Sequence, residues 1–564
     1  MEELYTNFVQ ISKNSEQYIF AVKALKNQSG LSRPKIAYLS SLLEHIENKN
    51  NLKSRQKKIL KFTDAYDFNI MSSAKELAFL VFDRSEIACV QLYVLNEMSK
   101  NARERKNLKS TVTEGPWLLT INDFVSGDVL AFSNSKELRK KIYKQLNFVG
   151  YTKDFNNSDV IEDIRRIKNE LANINGHENY VQYELQNCLA ENTSIINIFL
   201  ENLYKNTKEK YQLEISVLKK FGRMLSISNF SESDTSYLTV KYMSLQGKIN
   251  PTEFRQYFPK EHVVLEIFKF IESLFKVSIK KCKTLYQVYT LALKKYDVYD
   301  DEHGLLGSIY IDLDERIGLK SPGAYTILIR ERLPSINITP IVMIVTNFDH
   351  QETLPHYSIS IFFHEIGHAL HYILQSKYAV VPFEDTKEVP SQFMQHFVNN
   401  HDIIRNMSSH IVTKEKISES ILEKILNTSN DFSALSLLGQ ISHALLYQNL
   451  YQNLNDSWKE ITSHLIEKYD FEHLATHQLC NFRHIFSLDY AGIYYTYLWS
   501  EAIAIEIHNY LYNNSSTFAA KASLIRKLLF ERNNLISDSQ AYKRVLGKRF
   551  PDERYFLRYY GIII

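Results

Sequence analysis

Residues 364–368 read HEIGH, inside the longer apolar stretch SISIFFHEIGHALHYIL. On a helix, His364 and His368 lie four positions apart and project from one face about a turn apart, so both imidazoles can reach one metal ion. Glu365, beside the first of them, then stands where it can take a proton from a water whose pKa the ion has lowered. With 18 histidines in 564 residues, chance places the three fixed letters in such a chain with an expectation of roughly 0.03. The competing interpretation is a buried helix whose two histidines are satisfied by backbone carbonyls.

Zinc that works as a catalyst wants three protein ligands and one open position. His371 lies only three residues beyond His368 on the same straight helix, and three ligands from one helix would hardly close around one ion. The extended HExxHxxGxxH pattern is also absent, since position 371 is His where Gly is needed and position 374 is Leu where His is needed. His371 is therefore assigned to the core or to a place behind the ligands. Glu388, in EDTKEVPSQFMQHFV, is the better third ligand. The turn-like SKYAVVPFEDT precedes it, and Pro390 suits the start of a second helix. An antiparallel return would bring that helix start back to the imidazoles.

The elements that must position these residues are mostly helices. Hydrophobic residues make up 45% and charged residues 23%, with 16 Gly and 11 Pro, a globular composition poor in breakers. Ser358 to Leu374 contains no Pro and one Gly and reads as a buried helix. Before it, SIYIDL, AYTILI and PIVMIVTNF are short, rich in β-branched and aromatic residues and bounded by Gly and Pro, which predicts a small sheet. Upstream, QYIFAVKALKN, IAYLSSLLEHIEN, AKELAFLVFDRSEIACVQLYVLNEM and HVVLEIFKFIESLFKVSIKKC show three- and four-residue apolar spacing and read as helices. Ser135 suits the cap of the helix in SKELRKKIYKQL.

Composition also excludes partners. The net charge is +3 from 67 basic and 64 acidic residues, and the basic clusters are short, so no nucleic acid is expected. No apolar run approaches the ~18 residues of a transmembrane helix, so no membrane is expected either. Cys89, Cys188, Cys282 and Cys480 are far apart and form no CxxC pair, which fits a reducing compartment. MEELYTNFVQISKNSEQ has no signal-peptide pattern, and a cytoplasmic protein is expected.

At HEIGHALH followed by EVPSQ the chain resembles the family of zinc metallopeptidases that includes thimet oligopeptidase, neurolysin and mitochondrial intermediate peptidase. KELRKKIYKQ, NGHENYVQYEL, FRQYFPKEHVV, GLLGSIYIDLDERIG, VMIVTNF, AGIYYTYLWSEA and LGKRFPDERYFL resemble family segments in the same order, from about residue 110 to 560. The resemblance implies a mostly α, bilobed molecule with a deep central substrate channel and a small β-sheet beside the zinc helix. Residues 1–110 would form a variable N-terminal helical region and 111–564 the catalytic region, with the zinc site at 364–388.

The same resemblance implies one Zn2+ per chain held by His364, His368 and Glu388, with Glu365 as general base. It places the tyrosine-rich HIFSLDYAGIYYTYLW opposite the zinc, with catalytic roles for Tyr494, Tyr497 and His484 and substrate contacts for Tyr490 and His484. Read as a helix, this segment puts Tyr490, Tyr494 and Tyr497 on one face and Tyr495 elsewhere. Phenols on that face could donate to the oxyanion formed as water attacks the peptide carbonyl.

The sequence also departs from the family. YILQSKYAVVPFEDTK is shorter than the corresponding segment and lacks its Gly-Thr pair, ERNNLISDSQ replaces a glycine-containing stretch, and Gln395 stands where a carboxylate is common, which weakens the expected orientation of a metal ligand. The expected function is an oligopeptidase that cleaves internal bonds of short unstructured peptides, as a monomer, with substrate backbone added to the strand edge near VMIVTNF. The alternatives are a peptide-binding scaffold of the same fold with weak or no turnover and a dipeptidyl carboxypeptidase.

Overall fold

The computed structural model describes residues 33–246, 251–282, 293–314, 323–332, 337–348, 352–375, 384–426, 431–471, 477–486, 490–513, 515–531, 538–548 and 550–563. The helix expected in QYIFAVKALKN, residues 376–383 ahead of Glu388 and most of ERNNLISDSQ lie outside them. Helix α1, Arg33–Glu76, opens the described chain. The next segment, read from its spacing as one helix, is not continuous. Strand β1, Phe79–Val81, and a tight turn over Arg84–Ile87 interrupt it before α2, Leu92–Lys106. Asp83 accepts a hydrogen bond from the Ser85 amide at 2.8 Å, which fixes the turn. β1 pairs antiparallel with β2, Trp117–Leu119, a distant partner that helical periodicity cannot announce. Val81, Val94, Leu95, Met98, Trp117, Leu119 and Ile142 bury one another around this pair, drawing on both sides of residue 110. Ser135 caps the helix over Lys136–Phe148, its hydroxyl accepting from the Leu138 amide.

Helix α3, Thr193–Met224, starts at Asn192, whose side chain accepts from the Ile195 amide. Helix α4, Lys260–Phe275, ends where Lys276 takes a left-handed φ of 53°. KVSIKKC, expected to prolong this helix, instead turns into the sheet. Its strands are β3 (Ser278–Cys282), β4 (Lys294–Asp300), β5 (Gly304–Asp314), β6 (Tyr325–Arg330) and β7 (Ile341–Phe348). They lie in the order β3-β4-β5-β7-β6, with β7 parallel to β5 and antiparallel to β6. The three strands read from sequence are present, joined by two more. VMIVTNF is an interior strand, so the edge expected there belongs to β6 among the described residues.

Helix α5, His356–Leu374, carries the HEIGH residues and packs on the sheet. Its Ile359, Phe362, Phe363, Ile366, Leu370 and Ile373 expose no surface, and Ile309, Ile311, Val342 and Ile344 of the sheet are equally buried. Each large apolar side chain so buried contributes about 1.5–3 kcal/mol. That burial fixes the rotation of α5 and hence the direction of its polar residues. Helices α6 (Val389–Gln395), α7 (Ser433–Gln452), α8 (Thr496–Tyr512) and α9 (Glu553–Tyr559) complete the frame, with α6 and α9 packed on α8. Among the described residues the fold is mostly helical, with the five-stranded sheet and the short β1–β2 pair. No described helix is long and apolar enough to cross a membrane.

Behind α6, the rings of His396 and His508 lie 6.1 Å apart. Burial pushes His396 down to about 3, with His508 adding to the effect, and burial pushes His508 down to about 4. In the unfolded chain both titrate near ~6.5. Between ~6.5 and ~4 the unfolded chain therefore takes up protons that the folded chain cannot, and stability falls as pH falls through that window. The cost at pH 5 is about 2 kcal/mol per histidine. The melting temperature is expected to drop between pH 7 and pH 5, and to drop less in His508→Phe, whose ring neighbours are Phe397 and Tyr512. Equal drops in the two proteins would contradict this.

Candidate metal centre

His364 and His368 leave one face of α5 with ring centroids 5.0 Å apart. Glu388, at the start of α6, comes to meet them. Its Oε2 lies 3.4 Å from His364 Nε2 and 3.1 Å from His368 Nε2. Among the described residues these three form the group of His, Cys, Asp and Glu side chains able to hold a metal ion, with one donor atom from each inside 4.8 Å. Two imidazole nitrogens and a carboxylate oxygen are a donor set that suits zinc.

The approach of α6 depends on Gly367. A Cβ built there would stand 2.6 Å from both the Pro390 carbonyl oxygen and the Ser391 Cα, closer than any side chain tolerates. Pro390 occupies the first turn of α6, where its missing amide hydrogen costs nothing. Ser391 Oγ lies 2.8 Å from the Glu388 main-chain oxygen and 3.0 Å from Glu388 Oε2, and Gln392 Nε2 donates to the Tyr497 carbonyl at 3.1 Å. EVPSQ thus supplies a carboxylate, a helix start and two anchoring hydrogen bonds.

Gln395, one turn further on, reaches His364. Its Oε1 is 2.9 Å from His364 Nδ1, and its Nε2 donates to Ser360 Oγ at 3.0 Å. With the amide held this way, Nδ1–H donates to Gln395 and Nε2 is the nitrogen that faces Glu388. The weakened orientation expected at position 395 is therefore not what the structure has, because an amide oxygen accepts in the same direction as a carboxylate. Burial alone would push the Glu388 carboxyl up. The imidazoles of His368 and His364 outweigh it and hold Glu388 well below its ordinary range.

Glu365 is buried, and its Oε2 accepts from Thr326 Oγ1 of β6 at 2.7 Å. Asp385, three residues ahead of Glu388, is fully buried. Its carboxylate accepts from the Leu189 and Ala190 amides at 2.7 and 3.0 Å and from the Tyr495 hydroxyl at 3.0 Å. Burial still pushes this acid up to about 6 against those bonds.

Tyr490 and Tyr494 lie in a turn over residues 490–495, with Gly492 at φ 74°, and α8 begins only at Thr496. The helical reading of this segment is corrected accordingly. The turn nonetheless gathers the expected rings. Tyr490 and Tyr497 stack at 4.8 Å, Tyr494 meets Tyr497 edge-on at 5.3 Å, and His484 lies 6.1 to 6.3 Å from Tyr490, Tyr494 and Tyr497. The Tyr490 hydroxyl donates to Glu388 Oε1 at 3.0 Å. A ring cluster thus adjoins a three-donor site that has a carboxylate beside it on the same helix.

The family model described as Peptidase family M3 matches residues 129–528. The chain belongs to peptidase family M3. It is a peptide-hydrolysing metallopeptidase. Oligopeptidase A of Escherichia coli is 25% identical over 525 residues, covering 88% of this chain and 75% of that protein. Saccharolysin of Saccharomyces cerevisiae is 26% identical over 481 residues, 77% of this chain and 65% of its own. Mitochondrial intermediate peptidase of Arabidopsis thaliana is 24% identical over 444 residues, 74% and 62% of the two chains. Among solved structures, PZ peptidase A with an inhibitor aligns at a TM-score of 0.51 and 12% identity, over 96% of this chain and 83% of that one. A Chlamydophila abortus protein described as a peptidase reaches 0.54 at 14% identity, over 100% and 82%. These likenesses concern the fold.

In this M3 peptidase the structure brings together His364, His368, Glu388, Tyr490, Tyr497 and, at one ring's remove, Tyr494 and His484. It leaves His371 in the core, stacked on Tyr372 and edge-on to Phe530. Sequence reasoning missed Thr326 and Asp385. Thr326 is the one aliphatic hydroxyl in AYTILI, a signal of a specific partner. Asp385 gives no such signal, since an acid in EDTKE looks like an ordinary exposed turn.

Gly367→Ala is expected to push α6 off α5, lowering metal affinity roughly tenfold or more by chelator competition, the scale on which disturbed ligand orientation acts. Gly439, in α7 with open space at its Cβ, is the control. Gly439→Ala should leave affinity unchanged and raise stability by up to about 1 kcal/mol.

Proposed function

We propose that the chain is a zinc-dependent oligopeptidase that hydrolyses internal bonds of short, unstructured peptides. The observation that carries this is the convergence of His364 Nε2, His368 Nε2 and a Glu388 oxygen, with Glu365 next to the first of them. Zinc, when bound, lowers the pKa of a water and polarises the scissile carbonyl. Glu365 takes the proton of the attacking water on Oε1, the oxygen that Thr326 does not hold, and delivers it to the leaving amine. Tyr497, Tyr494 and His484 donate to the oxyanion as charge develops on it. Tyr490 steadies Glu388 through its hydroxyl and offers its ring to the substrate.

Substrate main chain adds to β6, a terminal strand of the sheet among the described residues that packs against α5. Residues 111–564 are the catalytic region and form the rest of both lobes about a channel that admits short peptides, with residues 1–110 as a variable N-terminal helical region. The protein acts as a cytoplasmic monomer on peptides, without nucleic acid or membrane. Its likeness to oligopeptidase A across most of both chains supports this reading.

Glu365→Gln is expected to lower kcat by roughly 10²–10⁴ while zinc content stays at one per chain. Parent rates in that variant would overturn the assignment of the base. A chelator should abolish hydrolysis of a quenched peptide, and added zinc should restore it. Peptides blocked at both ends should still be cut, and folded albumin should resist. Dependence on a free C-terminus would instead mark a dipeptidyl carboxypeptidase, and tight peptide binding without products would mark a scaffold.

A further inference from the structure

We propose that Thr326 is the positioning residue of the general base, an inference that rests on the role given to Glu365 above. β6 is the outermost strand of the sheet and lies against α5, and its Thr326 hydroxyl has two acceptors within reach. Glu365 Oε2 is 2.7 Å away and the Glu365 main-chain oxygen 3.0 Å away. A hydroxyl has one proton, and a bond to a carboxylate is the shorter and stronger of the two. The proton therefore goes to Oε2, which ties one carboxylate oxygen to the strand and leaves Oε1 for the water.

Among the described residues no other side chain donates to Glu365. Without the hydroxyl, the carboxylate loses the side-chain hydrogen bond that holds Oε2, and catalysis loses part of its pre-organised geometry. The location adds a consequence. Because β6 is also a terminal strand of the sheet among the described residues, base and a peptide added to that strand are referenced to one element. A shift of that strand would move both together.

Thr326→Val keeps the β-branched shape and strand preference of the residue and removes only the hydrogen bond. Thr326→Ser keeps the hydrogen bond and removes a methyl group. With a quenched peptide cut at an internal bond, Thr326→Val should lower kcat by about tenfold or more, the loss of one bond to a charged group. KM, zinc content and melting temperature should stay near the parent values, and Thr326→Ser should recover kcat to within about twofold. Should Val disturb folding, as its melting curve would reveal, Thr326→Ala carries the same comparison against Ser.

The proposal is overturned if Thr326→Val turns over at the parent rate, if Ser is as impaired as Val, or if the loss appears in KM or in bound zinc. Glu365→Gln, measured alongside, separates the two readings. Parent rates in Glu365→Gln would remove the base itself. An inactive Glu365→Gln with a fully active Thr326→Val would remove only the positioning role.

Discussion

The site depends on one backbone-to-backbone contact, that of α5 and α6 at Gly367. Main chain against main chain leaves no side chain to adjust the spacing, so the distance between the two helices is set by the absence of a Cβ. The rest of the site follows from helical periodicity. Glu388, Ser391, Gln392 and Gln395 recur at i, i+3, i+4 and i+7, one face of α6. Ser360, His364, Gly367 and His368 share the facing side of α5. When the glycine lets these faces meet, the carboxylate reaches both imidazoles, Ser391 reaches the carboxylate, and Gln395 bridges His364 and Ser360. The candidate metal centre and its supporting hydrogen bonds are thus one helix-to-helix interface.

That interface needs an anchor at the entry to α6, and a buried charge supplies it. Asp385 loses its hydration and is compensated by two main-chain amides between helices and by Tyr495. Removing one such partner would leave an acid stranded in the interior, which is why networks of this kind hold rigidly when complete. The tyrosine turn is in consequence fastened twice to the segment that carries Glu388, by Tyr495 to Asp385 and by Tyr490 to Glu388. Gln392, bonded to the Tyr497 carbonyl, adds a third tie. Rings and ligands are held as one body.

What was legible in the sequence divides along the same physical line. His364, His368 and Glu388 could be read because a helical spacing, a proline and a turn are local facts. The metal helix, SIYIDL, AYTILI and PIVMIVTNF could be read for the same reason. Phe79–Val81 and KVSIKKC could not, since their strand state comes from pairing with a separate strand outside the segment, while their own spacing speaks for helix. The tyrosine segment was misread as a helix because its four- and three-residue spacing persists through a turn in which Gly492 takes a left-handed conformation. The rings still converge, since stacking needs proximity and not a shared helix face. Asp385 and Thr326 act through partners almost two hundred residues and about forty residues away, and no local pattern reveals such a partner.

Position 395 shows how direction and charge can be separated in a metal site. A carboxylate facing His364 Nδ1 would fix the ring and also raise its basicity through a full negative charge. Gln395 fixes the ring with an amide dipole and adds no net charge, and its own NH2 group is satisfied by Ser360. Glu388 and Glu365 already flank His364, and Coulomb repulsion between close carboxylates in a half-buried site grows as water is excluded. The amide keeps the tautomer and orientation that metal binding requires without adding a third negative charge. Gln395 therefore orients the His364 imidazole through a neutral amide.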